Sequence, residues 1–289
     1  MSCVAAAALA LAGCVAGAEG SDGGAEPEGS AAMPIQGGYA DGRHDAVVGL
    51  RIFADEGRRT CSGTLIAPNL VMTAQHCVAE TPRRVACATS RFGELVAPDR
   101  VYATPSVLMC ERCDTPWFSV REVLRPPGGG GRVCGRDIAL LVLRSPVPAE
   151  RAIPFEPRLD APPEEGERYA AVGFGLSGAL RRDSGVRRYL GPLSIACVGA
   201  ACGDAERIAP GEWRGETGAC KGDSGGPALD AGSRVIGVGS RGRIDCERPI
   251  YTGLLPHRAW IVAVGGRAAA IGRYAPPAWV TGDLLQAAP

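Results

Sequence analysis

Short apolar segments separated by glycine- and proline-containing turns run through most of this 289-residue chain, which has 41 Gly and 23 Pro. Val47 to Phe53, Thr64 to Ala67 and Val235 to Val238 are examples. Segments of this length between turn residues are typical of antiparallel β-structure, whereas βα units would need helical patterns between the strands. The pattern therefore predicts an all-β fold, and the length is sufficient for two barrels.

Ser224 lies in the segment Gly-Ala-Cys-Lys-Gly-Asp-Ser-Gly-Gly-Pro, residues 218–227. Because glycine has no Cβ, glycines around a serine allow a sharp turn that projects the hydroxyl while backbone amides point at the same place. This is the geometry that acyl transfer requires. A serine hydroxyl is a weak nucleophile at neutral pH, so it needs a base within hydrogen-bond reach.

The chain has three histidines, and His76 is the candidate base. It follows an apolar run that predicts a buried strand, and cysteines on both sides of it, including Cys77, could hold the corner by a disulfide. A core histidine beside a structural disulfide is the alternative interpretation. His44 lies in a polar turn and His257 follows a proline, and both are predicted to be surface histidines.

Asp137 leads directly into six consecutive apolar residues, 138–143. The run predicts a strand buried on both faces, at whose start an unpaired carboxylate would be costly. Asp137 must therefore have a partner. His76 is one candidate, while Arg136, Arg132 or a turn that Asp137 caps remain open.

Taken together, three segments resemble the chymotrypsin/trypsin-like serine proteases of the secreted bacterial type. They are Thr73-Ala-Gln-His-Cys77, Asp137-Ile-Ala-Leu-Leu141 and Gly222-Asp-Ser-Gly-Gly-Pro227, and the resemblance extends from about Ile35 to Trp260. It implies two six-stranded antiparallel β-barrels with the active site between them, followed by a C-terminal helix. It also implies a serine endopeptidase that forms an acyl-enzyme intermediate and requires no metal or organic cofactor.

The resemblance assigns a role to each residue of the site. Ser224 would be the nucleophile, His76 the general base and then acid, and Asp137 the group that orients the imidazole. The backbone amides of Gly222 and Ser224 would stabilise the oxyanion. These assignments make polypeptides the expected substrates of a monomeric enzyme.

Ile35-Gln-Gly-Gly38 resembles the N-terminus that activation cleavage creates in this family. Its ammonium group would pair with Asp223, because a buried carboxylate is tolerable only beside a compensating cation. Pro34 stands where trypsin-like activation usually has a basic residue, so the activating protease remains open.

The resemblance also locates a substrate pocket, formed by Gly218, Ala219, Ser240, Arg241, Gly242 and Pro249. Gly218 stands six residues before Ser224, where trypsins carry an aspartate, so a preference for Lys or Arg is not expected. Small or medium apolar side chains are predicted instead. Arg241, Arg243 and Lys221 around the mouth keep an acidic preference open.

Twelve cysteines are too many for a reducing cytosol unless they bind metal or do redox work. The Cys110–Cys113 spacing is metal-like but has no second paired motif, so disulfides are the favoured interpretation, and the pairing of Cys87, Cys110, Cys113 and Cys134 remains open. The resemblance pairs the other six cysteines as Cys61 with Cys77, Cys220 with Cys246, and Cys197 with Cys202.

Residues 1–14 resemble a lipoprotein signal peptide, because a short apolar stretch ends in Leu11-Ala-Gly-Cys14. Cys14 would be lipidated, and an ordinary signal cut near Ala16 or Ala18 is the alternative. Residues 15–34 are predicted to be a disordered tether, 35–155 and 156–272 the two barrels with the helix, and 273–289 a tail. The chain is thus expected to be exported, to the periplasm or the exterior, with membrane contact only through a lipid.

Other functions would explain fewer of these segments. Gly222 to Gly226 also fits the G-x-S-x-G pattern of α/β-hydrolases, but Asp230 or Asp245 would then act with His257, and His76 would have no role. An inactive protease-like binding protein and an adhesion lipoprotein are the non-enzyme alternatives. The chain has 31 basic and 31 acidic residues, so its formal net charge of zero does not favour binding to nucleic acid.

Overall fold

The computed structural model describes residues 38–282, except 83, 111–112, 129–130, 179, 204–207 and 244. The signal peptide, Cys14, the tether and Ile35 lie outside the described residues, so what the sequence predicts for them stays a prediction. Among the described helices, none combines the length and apolarity that crossing a membrane requires.

The first barrel consists of six antiparallel strands and closes in the order β2-β3-β4-β7-β6-β5. These strands are β2 (Val47–Ala54), β3 (Gly57–Ala67), β4 (Leu70–Thr73), β5 (Val101–Thr104), β6 (Phe118–Leu124) and β7 (Ala139–Leu143). β4 and β7 are buried along their whole lengths and pair with each other, Thr73 opposite Ala139. This pairing brings the ends of the His76 and Asp137 segments side by side.

The second barrel also has six antiparallel strands, in the order β9-β10-β13-β12-β11-β8, and pairing of β8 with β9 closes it. Its strands are β8 (Arg168–Gly173), β9 (Arg188–Val198), β10 (Glu212–Gly215), β11 (Pro227–Leu229), β12 (Val235–Arg241) and β13 (Ile250–Gly253). A two-residue strand, β1 (Tyr39–Ala40), adds to the outside of β9. In the core, Trp213 stacks on Tyr251 with ring centroids 4.3 Å apart.

The helices are short except for the one that follows the second barrel. They are α1 (Gln75–Val78), α2 (Arg258–Gly272) and α3 (Ala278–Thr281), with 3-10 turns at Pro98–Arg100, Gly199–Cys202 and Leu255–His257. Helix α2 returns to the first barrel, where the Asn69 side-chain amide donates to the Ala268 carbonyl over 3.1 Å. The predicted fold class, two six-stranded barrels and a C-terminal helix, is confirmed. Trp279, within the segment taken as a tail, is buried.

A buried arginine connects the barrels on one side. Arg187 precedes β9 and is inaccessible to solvent. Its guanidinium donates to the carbonyls of Val47 and Pro105 and to the Asp45 carboxylate, at 3.2, 2.8 and 2.6 Å. Because a buried guanidinium without acceptors would be very costly, these bonds fix how the barrels dock.

The ten described disulfide cysteines form five pairs: Cys61–Cys77, Cys87–Cys134, Cys110–Cys113, Cys197–Cys202 and Cys220–Cys246. Three of them join the cysteines that the resemblance paired. The other two decide the pairing that the sequence left open, and they assign Cys110 and Cys113 to a disulfide rather than to a metal site.

Candidate active site

His76 and Asp137 form a two-point contact in the first barrel. His76 lies in α1, directly after β4, and Asp137 lies two residues before β7. The two side chains meet over 2.7 Å between Nδ1 and Oδ2, and the His76 backbone N–H donates to Oδ1 over 2.9 Å. Asp137 is 1% exposed and the His76 side chain 23%. The contact fixes the ring so that Nε2 is the nitrogen left for chemistry.

Ser240 completes the environment of Asp137 from the second barrel. Its hydroxyl donates to Asp137 Oδ2 over 2.6 Å, and the side chain is buried. Sequence reasoning assigned Ser240 to the substrate pocket and missed this bond, since nothing near Ser240 in the chain indicates a partner 103 residues away. Arg136, one of the partners left open for Asp137, donates instead to the carbonyl of Pro127.

These contacts move the two pKa values in opposite directions. Burial alone would lower the pKa of His76, but the charge of Asp137 and their hydrogen bond outweigh it and raise that pKa. Burial would raise the pKa of Asp137, but His76 and the Ser240 hydroxyl outweigh it and hold that pKa below its usual value. An imidazolium is therefore stabilised at this position, as a general base that accepts a proton requires.

The turn that carries Ser224 is held against the first barrel. Ser224 O accepts a hydrogen bond from Ser62 N over 2.8 Å, and the Ser62 hydroxyl donates to Gly222 O over 2.9 Å. Gly225 has φ +82°, and a Cβ there would lie 2.1 Å from Thr73 Oγ1. Because no side chain fits, the turn approaches the strand that leads to His76 as closely as backbone allows.

The Cys61–Cys77 disulfide lies close to both Ser224 and His76. The Cys77 sulfur lies 3.6 Å from Ser224 O and 4.0 Å from His76 Nε2. The described part of the chain has no direct hydrogen bond between the Ser224 hydroxyl and His76. Such bonds are commonly long in free enzymes and tighten when substrate binds.

Among the described residues, the amides of Gly222 and Ser224 have no hydrogen-bond acceptor. Gly222 has φ +104°, and a Cβ there would lie 2.8 Å from the Gly175 Cα, so only glycine fits the turn. Two amides without acceptors beside a serine hydroxyl can bind a negatively charged oxygen.

Asp223 is buried on the opposite side of the same turn, where its carboxylate accepts from two backbone amides. Gly175 N donates to Oδ1 over 2.7 Å and Cys220 N to Oδ2 over 2.8 Å. Burial raises the pKa of Asp223 to about 7, although the two amides and the charge of Arg188 oppose it. Ile35, its predicted partner, lies outside the described residues.

A cleft of about 400 Å³ opens beside Ser224. Five of the six predicted pocket residues line it; Gly218 is not among the described residues that do. Pro249, Ile250 and the Cys220–Cys246 disulfide supply apolar wall. Two of the three cations at its mouth are paired, Arg241 with Glu212 over 2.6 Å and Arg243 with Asp245 over 3.0 Å.

A second cavity, of about 290 Å³, is lined by His76 itself. Its wall includes Val85 and Val133 and the charged side chains of Glu56, Arg59 and Arg241. Arg241 thus borders both cavities, and sequence reasoning identified only its place at the mouth of the first.

The other two histidines differ from prediction. His257 is 7% exposed, and its Nε2 lies 3.1 Å from Gly135 O, so its assignment as a surface residue was wrong. A 3-10 turn after β13 directs it into the barrel interface, which local sequence does not reveal. His44 is partly buried, bound to Asp41 over 3.0 Å and stacked on Tyr189. The all-β fold removes the α/β-hydrolase alternative.

Comparison with known proteins agrees with this architecture. The family model described as Trypsin matches residues 35–261. A solved structure titled "Atomic resolution structure of HBP" superposes with a TM-score of 0.60 and 20% sequence identity, covering 79% of this chain and 95% of that one. At this identity, the structural likeness shows the fold alone.

Proposed function

This chain belongs to the trypsin family, and we propose that it is a serine endopeptidase that acts through Ser224, His76 and Asp137. The observation that carries the proposal is the set of hydrogen bonds to Asp137. Its oxygens bind the backbone N–H and the ring Nδ1 of His76 and the hydroxyl of Ser240. A carboxylate used in this way orients an imidazole and stabilises its cation.

In the proposed reaction, the Ser224 hydroxyl oxygen attacks the carbonyl carbon of the scissile peptide bond, and His76 Nε2 takes the hydroxyl proton. The amides of Gly222 and Ser224 bind the oxyanion. When the tetrahedral intermediate collapses, Nε2 delivers its proton to the leaving amine and an acyl-enzyme remains. Water, deprotonated by the same nitrogen, hydrolyses the ester and restores the hydroxyl.

For the cleaved residue, we propose a preference for small or medium apolar side chains. Pro249, Ile250 and Ala219 in the lining of the cleft support it. The charge of Arg241 is neutralised by Glu212, and that of Arg243 is paired with Asp245. Among the described cations that line the cleft, this leaves only Lys221 to favour an acidic residue. Profiling with a randomised peptide library tests this, and strong cleavage after Glu or Arg would reject it.

We further propose that cleavage before Ile35 by another protease activates the enzyme. The raised pKa of Asp223 supports this, because a buried carboxyl that lacks a bound cation is stabilised by an incoming ammonium group. Export and lipidation at Cys14 stay proposals, and the five disulfides support export. N-terminal sequencing of the active species should return Ile35 first; a start well before it would reject this route.

Labelling with a fluorophosphonate tests the activity itself. The wild-type protein, processed to its active form, should be labelled, while Ser224→Ala and His76→Ala should not. Ser184→Ala is the matched control, because Ser184 is exposed and outside the cleft. A folded and processed wild type that is not labelled would reject the enzyme and favour an inactive, protease-like binding protein.

A further inference from the structure

Glu212 has an unusual environment for a carboxylate. It is inaccessible to solvent, and four hydrogen bonds reach it. Oε1 accepts from Arg241 Nη1 over 2.6 Å and Gly135 N over 2.7 Å, and Oε2 accepts from Arg241 Nη2 over 2.7 Å and Ala209 N over 2.9 Å. Each oxygen thus binds one guanidinium nitrogen and one backbone amide, the arrangement that best offsets the cost of burying the charge.

Two of these donors lead directly to Asp137. Gly135 is two residues before it in the chain, and Arg241 follows Ser240, whose hydroxyl binds Asp137 Oδ2. A closed ring therefore runs from Asp137 through Ser240 and Arg241 to Glu212, and back through Gly135. It crosses from the first barrel to the second twice.

Gly135 is tightly packed, which restricts movement within this ring of contacts. Its φ is +78°, and a Cβ there would lie 3.2 Å from the Pro210 carbonyl oxygen and 3.3 Å from the Ala209 Cβ. On its other side, His257 binds the Gly135 carbonyl over 3.1 Å. The backbone N–H and C=O of Gly135 are thus both held by residues of the second barrel.

We propose that Glu212 and Arg241 form a clamp across the barrel interface that positions Asp137 against His76, a role that rests on the proposed function of the site. Arg241 also borders both the cleft beside Ser224 and the cavity beside His76, whereas Glu212 is inaccessible to solvent and is not among the described residues that line either one. Glu212 is therefore a positioning residue whose removal should lower kcat rather than raise KM.

The clamp also affects the electrostatic environment of the His76 imidazole. The charged groups facing His76 are Asp137, Arg59 and Arg241, with Glu56 bound to Arg59 over 2.9 Å in the same cavity. The charge of Arg241 lowers the pKa of His76, and Glu212 compensates that charge. Removing the guanidinium should raise the pKa of His76, and removing the Glu212 charge should lower it.

The test uses the fact that the chain has only three histidines, whose ring signals can be followed by NMR. In a Ser224→Ala background, Arg241→Met should raise the pKa of His76 and Glu212→Gln should lower it, with that of His44 unchanged. In the active protein, Glu212→Gln should lower kcat about 10–100-fold with little change in KM, as small displacements of a catalytic group do. The double variant Glu212→Gln/Arg241→Met removes both charges of the ion pair, so stability should recover while kcat stays low.

Arg158→Met is the matched control. Arg158 is another arginine of the second barrel that binds carboxylates, those of Glu167 and Asp230, but none of the three is among the described residues that line either cavity. It should lose stability and leave both kcat and the pKa of His76 unchanged. An unchanged His76 pKa in both clamp variants, or a rise in KM alone, would overturn the clamp. The pKa of His76 can be measured by NMR even if the wild type has no activity. The clamp can therefore be rejected independently of the proposed function.

Discussion

Two buried aspartates lie on either side of the site, and their environments differ. Asp137 binds an imidazole and a hydroxyl, which hold its pKa below the usual value. Asp223 binds two backbone amides, and burial raises its pKa to about 7. Both are almost inaccessible to solvent, so the groups they contact, and not the extent of burial, account for the difference.

The site has two halves, the His76–Asp137 pair and the Ser224 turn with Asp223. The difference between the aspartates indicates that these halves are not equally complete. Around His76, every charged group has its partner. Around Asp223, the described residues place no cation in hydrogen-bonding contact, and Arg188 acts only through space, its guanidinium bound to the carbonyls of Gly175 and Asp183. The proposed base is therefore already oriented. Within the described residues, the turn that carries the proposed oxyanion amides has no bound cation, which the proposed ammonium group of Ile35 would supply.

Asp137→Asn should have the largest effect. The amide cannot hold the imidazole tautomer or stabilise its cation, so kcat/KM should fall by roughly 10⁴-fold, as is typical of this change in a Ser-His-Asp triad. The pKa of His76 should fall as well, because Asp137 raises it. Peptide hydrolysis and NMR titration measure the two effects. Asp160→Asn, at an exposed ion pair with Arg234, is the control and should leave both unchanged.

The pH dependence of stability should report Asp223 directly. Its pKa is about 7 in the folded chain and near 3.8 when unfolded, so the folded state binds the extra proton between these values. The free energy of unfolding of the intact chain should therefore fall as pH rises from about 4 to 7, by up to about 4 kcal/mol.

Urea denaturation of the Ser224→Ala protein measures this without self-cleavage. The slope over this pH range should largely disappear in Asp223→Asn, while Asp230→Asn, a buried acid paired with arginines, should keep it. After cleavage at Ile35 the fall should also shrink, because the ammonium group favours the charged carboxylate. An equal slope in the intact and cleaved forms would reject the proposed pair.

Asp223→Asn should lower activity less than Asp137→Asn does. Without the charged anchor the turn should hold the Gly222 and Ser224 amides less firmly, and losing one oxyanion donor typically costs about 10²–10³ in kcat. The pKa of His76 should not change, since Asp223 is not among the groups that shift it. A fall in the pKa of His76 would mean that Asp223 and the His76–Asp137 pair are coupled.

The sequence predicted what depends on local pattern and missed what depends on docking. The apolar run after Asp137 indicates a buried strand, and strand pairing then places Asp137 beside His76. The Ser240–Asp137 bond and the burial of His257 against Gly135 both cross the barrel interface. Such contacts join residues more than 100 positions apart, and no spacing in the chain encodes them.

Ser240→Ala should have the smallest of these effects, and it tests whether the base half depends on the second barrel. Asp137 would lose one hydrogen bond of three but keep both contacts with His76. A hydrogen bond to a charged group contributes about 1.5–3 kcal/mol, so kcat/KM should fall roughly 10–100-fold. The pKa of Asp137 should rise because the hydroxyl lowers it. Unchanged kinetics would mean that His76 alone orients this carboxylate, and that the base is assembled entirely within the first barrel.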